Sequence, residues 1–193
     1  MNLRDVAIFT GERFRVPQCI QRIDHRATHG WQLRYGGTKL FSDHSNDGSG
    51  AEDSLVLAIK ELIRRIGKLE APTTLQRGPS ANKSNGLPPG ISGPIVRGRA
   101  GSRARDCSLA VLVPRFGQAP LRRSIYVATE STFTQAKLRA ALKRATAMRE
   151  EAEAVYRHAA TRARRAEAKV IKEMLAAGDF KRRRRAPARR AAA

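Results

Sequence analysis

A chain of 193 residues with 41% hydrophobic side chains is long enough for one medium domain or two small ones with packed cores. Its 38 Lys and Arg outweigh 17 Asp and Glu to a formal +21, a self-repelling excess ordinarily kept for an anionic partner and not for stability. The apolar runs fall short of the roughly 20 residues that span a bilayer, the apolar stretch in Met1 to Thr10 is too short for a secretory signal, and the two cysteines, Cys19 and Cys107, are too few for a disulfide framework. The expectation is an intracellular, membrane-free protein: cytoplasmic or nucleoid-associated in a bacterium, nuclear in a eukaryote.

The charge is uneven. Residues 1–91 hold 13 basic and 9 acidic side chains, a net +4, and residues 92–193 hold 25 and 8, a net +17. The second half is therefore the polyanion-facing half. Arginine outnumbers lysine 29 to 9; its planar fork suits phosphates and guanine edges, and a GC-rich genome enriches it as well.

In chain order, residues 1–18 read as an arm or edge strand, with the apolar run Val6 to Phe9 and a basic-apolar alternation from Arg13 to Val16. Cys19 to Ile23 is a strand candidate. Trp31 to Tyr35 alternates with period two, so that Trp31, Leu33 and Tyr35 share one face and Gln32 and Arg34 the other, where a ligand would be read. Gly36 and Gly37 signal a tight turn, and Thr38 to Ser42 makes the returning strand. Asp43 to Gly50 is loop composition, after which Ser49 and Glu52 fit a capping box. Leu55, Ala58, Ile59, Leu62, Ile63 and Ile66 trace a helical stripe that ends at Gly67 and is wide enough to cover the tryptophan face.

Residues 68–93 are rich in proline, glycine and serine and read as a linker. Beyond it, Ile95 to Arg99, Ser108 to Val113 and Arg122 to Ala128 form a three-stranded meander before a helix that starts near Thr132, capped through Thr132 and Gln135, and runs to Ala177. The second half thus repeats the first: Cys19 to Arg22 answers to Pro94 to Arg97, Gly30 to Leu33 to Asp106 to Leu109, and Lys39 to Ser42 to Ser124 to Val127. The predicted fold class is α+β: two small modules, 19–67 and 94–149, each a three-stranded antiparallel sheet packed on one helix, followed by a helix extension, 150–177, and a disordered basic tail, 178–193.

Three short strands, a tryptophan in the middle one, an aromatic in the third and a helix with an acidic start make this region resemble the APETALA or ethylene-response-factor type of DNA-binding domain. The resemblance is carried by Trp31, Arg34, Phe41 and Ala51 to Ala58, and more loosely in the second copy by Tyr126 and Thr129 to Thr132. It implies a sheet lying in the major groove, with Arg22, Trp31 and Arg34 as contact candidates. In the second copy Cys107 stands where that family has its tryptophan, so phosphate binding without base readout is the expectation there.

Independently of the family, Lys39 lies in the third strand of the first module, and Arg97 and Arg99, two apart, share a strand face. Arg122, Ser124 and Tyr126 share another face, Arg123 lies beside them, and Arg103, Arg105 and Arg115 sit in turns. The stretch Lys181, Arg182, Arg183, Arg184, Arg185 cannot bury itself and adds affinity without specificity; as a bare motif it also fits nuclear import. In the long helix, Leu138, Ala141, Ala145, Met148, Ala152, Val155 and Ala159 alternate three and four apart, a seam for the sheet at its start and for a homodimer beyond it; a single solvated helix presenting Arg157, Arg162, Arg164 and Arg165 is the alternative.

Catalytic constellations are missing from the sequence. His25, His29, His44, Asp43 and Cys19 lack metal-ligand spacing, and Asp43, Asp47, Glu52 and Asp53 lie where capping and the helix dipole account for them. Neither a cofactor nor an enzymatic activity is expected. Two function classes remain: a DNA-binding protein, regulatory or chromosome-organising, with duplex DNA favoured over RNA; or an RNA-binding structural component of a ribonucleoprotein particle such as the ribosome.

Overall fold

The computed structural model describes residues 1–78, 85–98, 101 and 103–181. Two compact units are present among the described residues, one formed by Met1–Ala71 with residues 162–181, the other by Pro72–Thr161. This division departs from the tandem-module expectation at both ends of the chain.

In the first unit, residues 1–18 are no arm. Strands β1 (Leu3–Ala7) and β2 (Arg13–Pro17) pair antiparallel as a hairpin, and the alternation seen in the sequence aims Phe14 and Val16 into the core while Arg13 points to solvent. A three-stranded antiparallel sheet follows, β3 (Ile20–His25), β4 (Thr28–Arg34) and β5 (Thr38–Ser42), in sequence order. The β4–β5 loop needs Gly36 and Gly37 at φ +61° and +105°, a region that side chains disfavour. Helix α1 (Ala51–Lys68) starts at Gly50, and Ser49 and Glu52 form no capping box: Gly50 is the N-cap and offers no side chain. Its stripe Leu55, Ala58, Ile59, Leu62 and Ile66 is buried against Trp31, Leu33 and Tyr35, as the two periodicities require.

The second unit holds β6 (Ile91–Gly98), β7 (Arg105–Val113) and β8 (Leu121–Thr129), again antiparallel and in sequence order, a short 3-10 turn at Glu130–Thr132, and the first part of helix α2 (Gln135–Ala177). The sequence places β6 late by four residues because the prolines and glycines around Ile91 mask its start. The capping box closes the 3-10 turn through Thr129 and Thr132; the backbone N–H of Lys137 in α2 donates instead to Thr134 Oγ1. Ile91, Cys107, Leu109, Val111, Ile125, Val127 and Ala128 meet Ala141 and Ala145 of α2 in the core of this unit. Cys107 takes the helix-facing place that Trp31 has in the first sheet.

The seam expected along α2 holds only at its start. Met148 and Val155 are exposed, and the buried stripe turns instead through Arg149. Further on, Ala168 and Ile171 are buried in the first unit's core, with Met174 and Leu175 packed against it, and Phe180, two residues past the Gly178 turn, is 1% exposed. The chain at 178–180 is thus packed, contrary to the expectation of a tail disordered from residue 178. No described helix is long and apolar enough to cross a membrane.

Candidate nucleic-acid interface

Pairing register decides which side chains each sheet turns away from its helix, since directly opposed residues share a face. In the first sheet the rows Arg22–Trp31–Phe41 and Ile20–Leu33–Lys39 face α1, whereas Gln21–Gln32–Leu40, Ile23–Gly30–Ser42 and Arg34–Thr38 form the open face. Arg34 Nε donates to Gln32 Oε1 at 2.6 Å, so a guanidinium and an amide present a joint donor edge.

Two of the expected contacts are on the wrong side. Trp31 is 0% exposed, with its indole Nε1–H donating to Ala51 O at 2.8 Å, and has nothing to offer a ligand. Arg22 lies 5.1 Å from the Trp31 ring centroid, its side chain 5% exposed, and grips Asp43 through both terminal nitrogens at 3.0 and 2.6 Å while Nε donates to Asp24 at 2.9 Å. Asp43 also accepts from Ser54 Oγ at 2.6 Å, so one buried carboxylate ties β3, the loop and α1 together. Burial by itself would raise the Asp24 carboxyl; hydrogen bonds from Arg22 and His29 and the arginine charge hold it net below its ordinary value. Arginine in a strand cannot reveal from sequence whether it reaches water or an aspartate 21 residues away. Lys39 is exposed on the edge strand, 5.0 Å from the Phe41 ring, on the helix side of the sheet and off the Arg34 face.

In the second sheet the register brings together what the sequence left on separate strands. The row Ile95–Ser108–Tyr126 lies on the open face, flanked on one side by Arg97–Asp106 and on the other by Ala110–Ser124 and then Leu112–Arg122. Arg97, Arg122 and Tyr126 are thus co-facial and exposed. Arg123 opposes Val111 and lies on the helix side at the sheet's edge. Arg105 forms an exposed ion pair with Glu130, Arg115 donates twice to Ala119 O within its own turn, and Arg103 is exposed. Arg99 and Arg182, Arg183, Arg184 and Arg185 lie outside the described residues; Lys181 is exposed.

Sequence reasoning missed Gln21 on the first open face and the basic flank of α2, where Lys137, Arg139, Lys143 and Arg144 are exposed. Their positions on either side of the stripe Leu138, Ala141, Leu142 and Ala145 were available from helical spacing. Of the arginines expected to line a solvated helix, Arg164 instead pairs with Glu167 at 2.9 Å and sits 6.0 Å from the Tyr35 ring. The second unit, 72–161, carries 15 Lys and Arg against 5 Asp and Glu, a net +10. Arg97, Arg122, Arg123, Arg139 and Lys143 have no acidic partner among the described residues.

Among the described residues no group of three His, Cys, Asp or Glu is arranged to hold a metal. No family model matches the chain, and neither the curated proteins nor the solved structures include a match.

Proposed function

We propose that the chain binds nucleic acid, duplex DNA in preference to RNA, with the second unit supplying phosphate contacts and the open face of the first sheet reading base edges. The observation that carries this reading is the unneutralised arginine set of the second unit: Arg97 and Arg122 on the open sheet face, Arg123 at its edge, and Arg139 and Lys143 on α2, none with an acidic partner among the described residues. A domain keeps such repulsion when a polyanion neutralises it. Gln21, Gln32 and Arg34 add the side-chain types whose planar ends match adenine and guanine edges in the major groove. The order of three antiparallel strands then a helix, found in both units, supports the resemblance to the APETALA type of DNA-binding domain, with Arg34 in place of Arg22 and Trp31 as its contact. A regulatory or chromosome-organising role is the corresponding biology.

Salt titration tests the reading. With about six phosphate contacts, log affinity for a random duplex falls against log salt with a slope near −5. A flat response would remove the polyanion reading, and tighter binding to structured RNA than to duplex DNA at physiological salt would favour the ribonucleoprotein alternative.

A further inference from the structure

Tyr126 is not explained by phosphate contacts. It lies at the open face of the second sheet with 53% of its surface exposed, in an otherwise small or apolar row with Ser108 and Ile95. That orientation follows from the regular alternation of β8, with Ser124 and Tyr126 outward and Ile125 inward; just beyond it Ser108 pairs with Tyr126 and Cys107 with Ala128, so Val127 is an extra residue in β8. Val127 and Ala128 consequently both join the core. The bulge re-aims Ala128 and leaves the Tyr126 row in register with Ser108. Arg144 of α2 donates to the Tyr126 carbonyl at 3.2 Å and fixes the backbone beneath the ring from the other side.

Around this ring the open face carries small side chains and two cations. Ser92, Ser124 and Ala110 lie on one side, and Arg97 and Arg122 stand at the two ends. At about 3.4 Å per residue along antiparallel strands, Arg122 lies some 13 Å along the strand from Tyr126, and the Arg97 row about 7 Å beyond it in the opposite direction. An exposed aromatic between two cations on an open sheet face offers a π face for a base and charges for the phosphates on either side of it. Duplex DNA cannot use that face, because its bases are already stacked on one another and present only their edges in the grooves. A single strand can, since base–aromatic stacking is what tolerant single-strand sites use.

The geometry points to a single-stranded nucleic-acid site on the β6–β7–β8 face, in which Tyr126 stacks on an unpaired base and Arg97 and Arg122 hold the flanking phosphates. This rests on the nucleic-acid reading above and adds to it a second substrate class, unpaired strand, at a surface distinct from the Gln21, Gln32 and Arg34 face. It would equip the protein for a locally opened duplex or a strand end.

The test uses the full chain, as wild type, Tyr126→Leu and Tyr126→Phe, and three labelled probes by fluorescence anisotropy at low salt: an oligothymidylate, an abasic strand of equal length and a random duplex. Trp31 fluorescence verifies folding of the first unit and circular dichroism that of the whole. The expected result is a loss of about tenfold to a hundredfold in oligothymidylate affinity for Tyr126→Leu, retention for Tyr126→Phe, and no change for either on the abasic strand or the duplex. Unchanged oligothymidylate binding by Tyr126→Leu would overturn the stacking site while leaving the nucleic-acid reading intact. So would an equal loss on the abasic strand or duplex, which would make Tyr126 a backbone contact. Failure of the wild-type chain to bind any of the probes would overturn both.

Discussion

Removing the Asp43 carboxylate is the sharpest perturbation of the first unit. Asp43→Ala leaves Arg22 with a side chain 5% exposed and deletes the fork at 3.0 and 2.6 Å together with the Ser54 bond. Stripping one partner from a buried ion pair costs about 3–5 kcal/mol, because the surviving charge stays desolvated. The lower end applies here: Asp24 still accepts from Arg22 Nε, and Ser54 Oγ retains the Ala51 carbonyl at 3.2 Å. About 3 kcal/mol is a large part of the 5–15 kcal/mol that holds a typical domain together. Trp31 is the one tryptophan in the chain and lies under Arg22, so its fluorescence during urea unfolding reports this unit. With a slope of about 1–3 kcal/mol/M the midpoint falls by about 1–3 M. Adding Arg22→Met recovers part of the loss, since it removes the orphaned charge. A midpoint shift below about 0.3 M, or a further fall on adding Arg22→Met, would refute the reasoning and return Arg22 to the candidate DNA contacts.

Acid should weaken the same unit by linkage. The Asp24 carboxyl is held below its unfolded value and Glu61 is lowered from 4.5 to about 2 by hydrogen bonds from Arg64 and Arg65, so both contribute stability above the unfolded carboxylate range that is lost as pH falls through the folded values; Trp31-monitored unfolding between pH 5 and pH 2, about the window those groups span, reads it. Gly90→Ala should destabilise the second unit, because a Cβ at φ +71° would collide with Arg149 Nη1, which itself donates to Leu112 O at 2.8 Å while Nε pairs with Glu153 at 2.7 Å; a cost of about 1–3 kcal/mol is expected for such overpacking, read as a lowered calorimetric transition. Phe180→Ala should cost about 3–5 kcal/mol at the Trp31 transition, as expected for a phenyl ring that is 1% exposed; an unchanged midpoint would mean that the chain end does not belong to the first core.

How much could be read in advance varied with the range of the forces involved. The helix starting after Gly50, its stripe from Leu55 to Ile66, the β5 strand Thr38–Ser42 and the end of α2 at Ala177 agree with the sequence reading, because periodicity and glycine turns are local properties. The β1–β2 hairpin was legible only as alternation, since the core that buries Phe14 and Val16 is built from residues far along the chain. The candidate site was half legible. Arg34 and Gln32 face outward as their alternation requires, whereas Arg22 and Trp31, equally suited by residue type, are turned inward by the same register.

Composition and local patterning therefore determined most of the elements and the charge excess of the second half: charge is additive along a chain, and hydrophobic periodicity needs no knowledge of distant residues. Only the tertiary structure decided that Asp43 would consume Arg22, that residues beyond Arg162 would complete the first core, and that the pairing of β6 and β8 with β7 would bring Tyr126 onto a face with Arg97 and Arg122. Each of these is set by strand register or by packing between segments many residues apart, and a one-residue shift would send the same side chains to the opposite face.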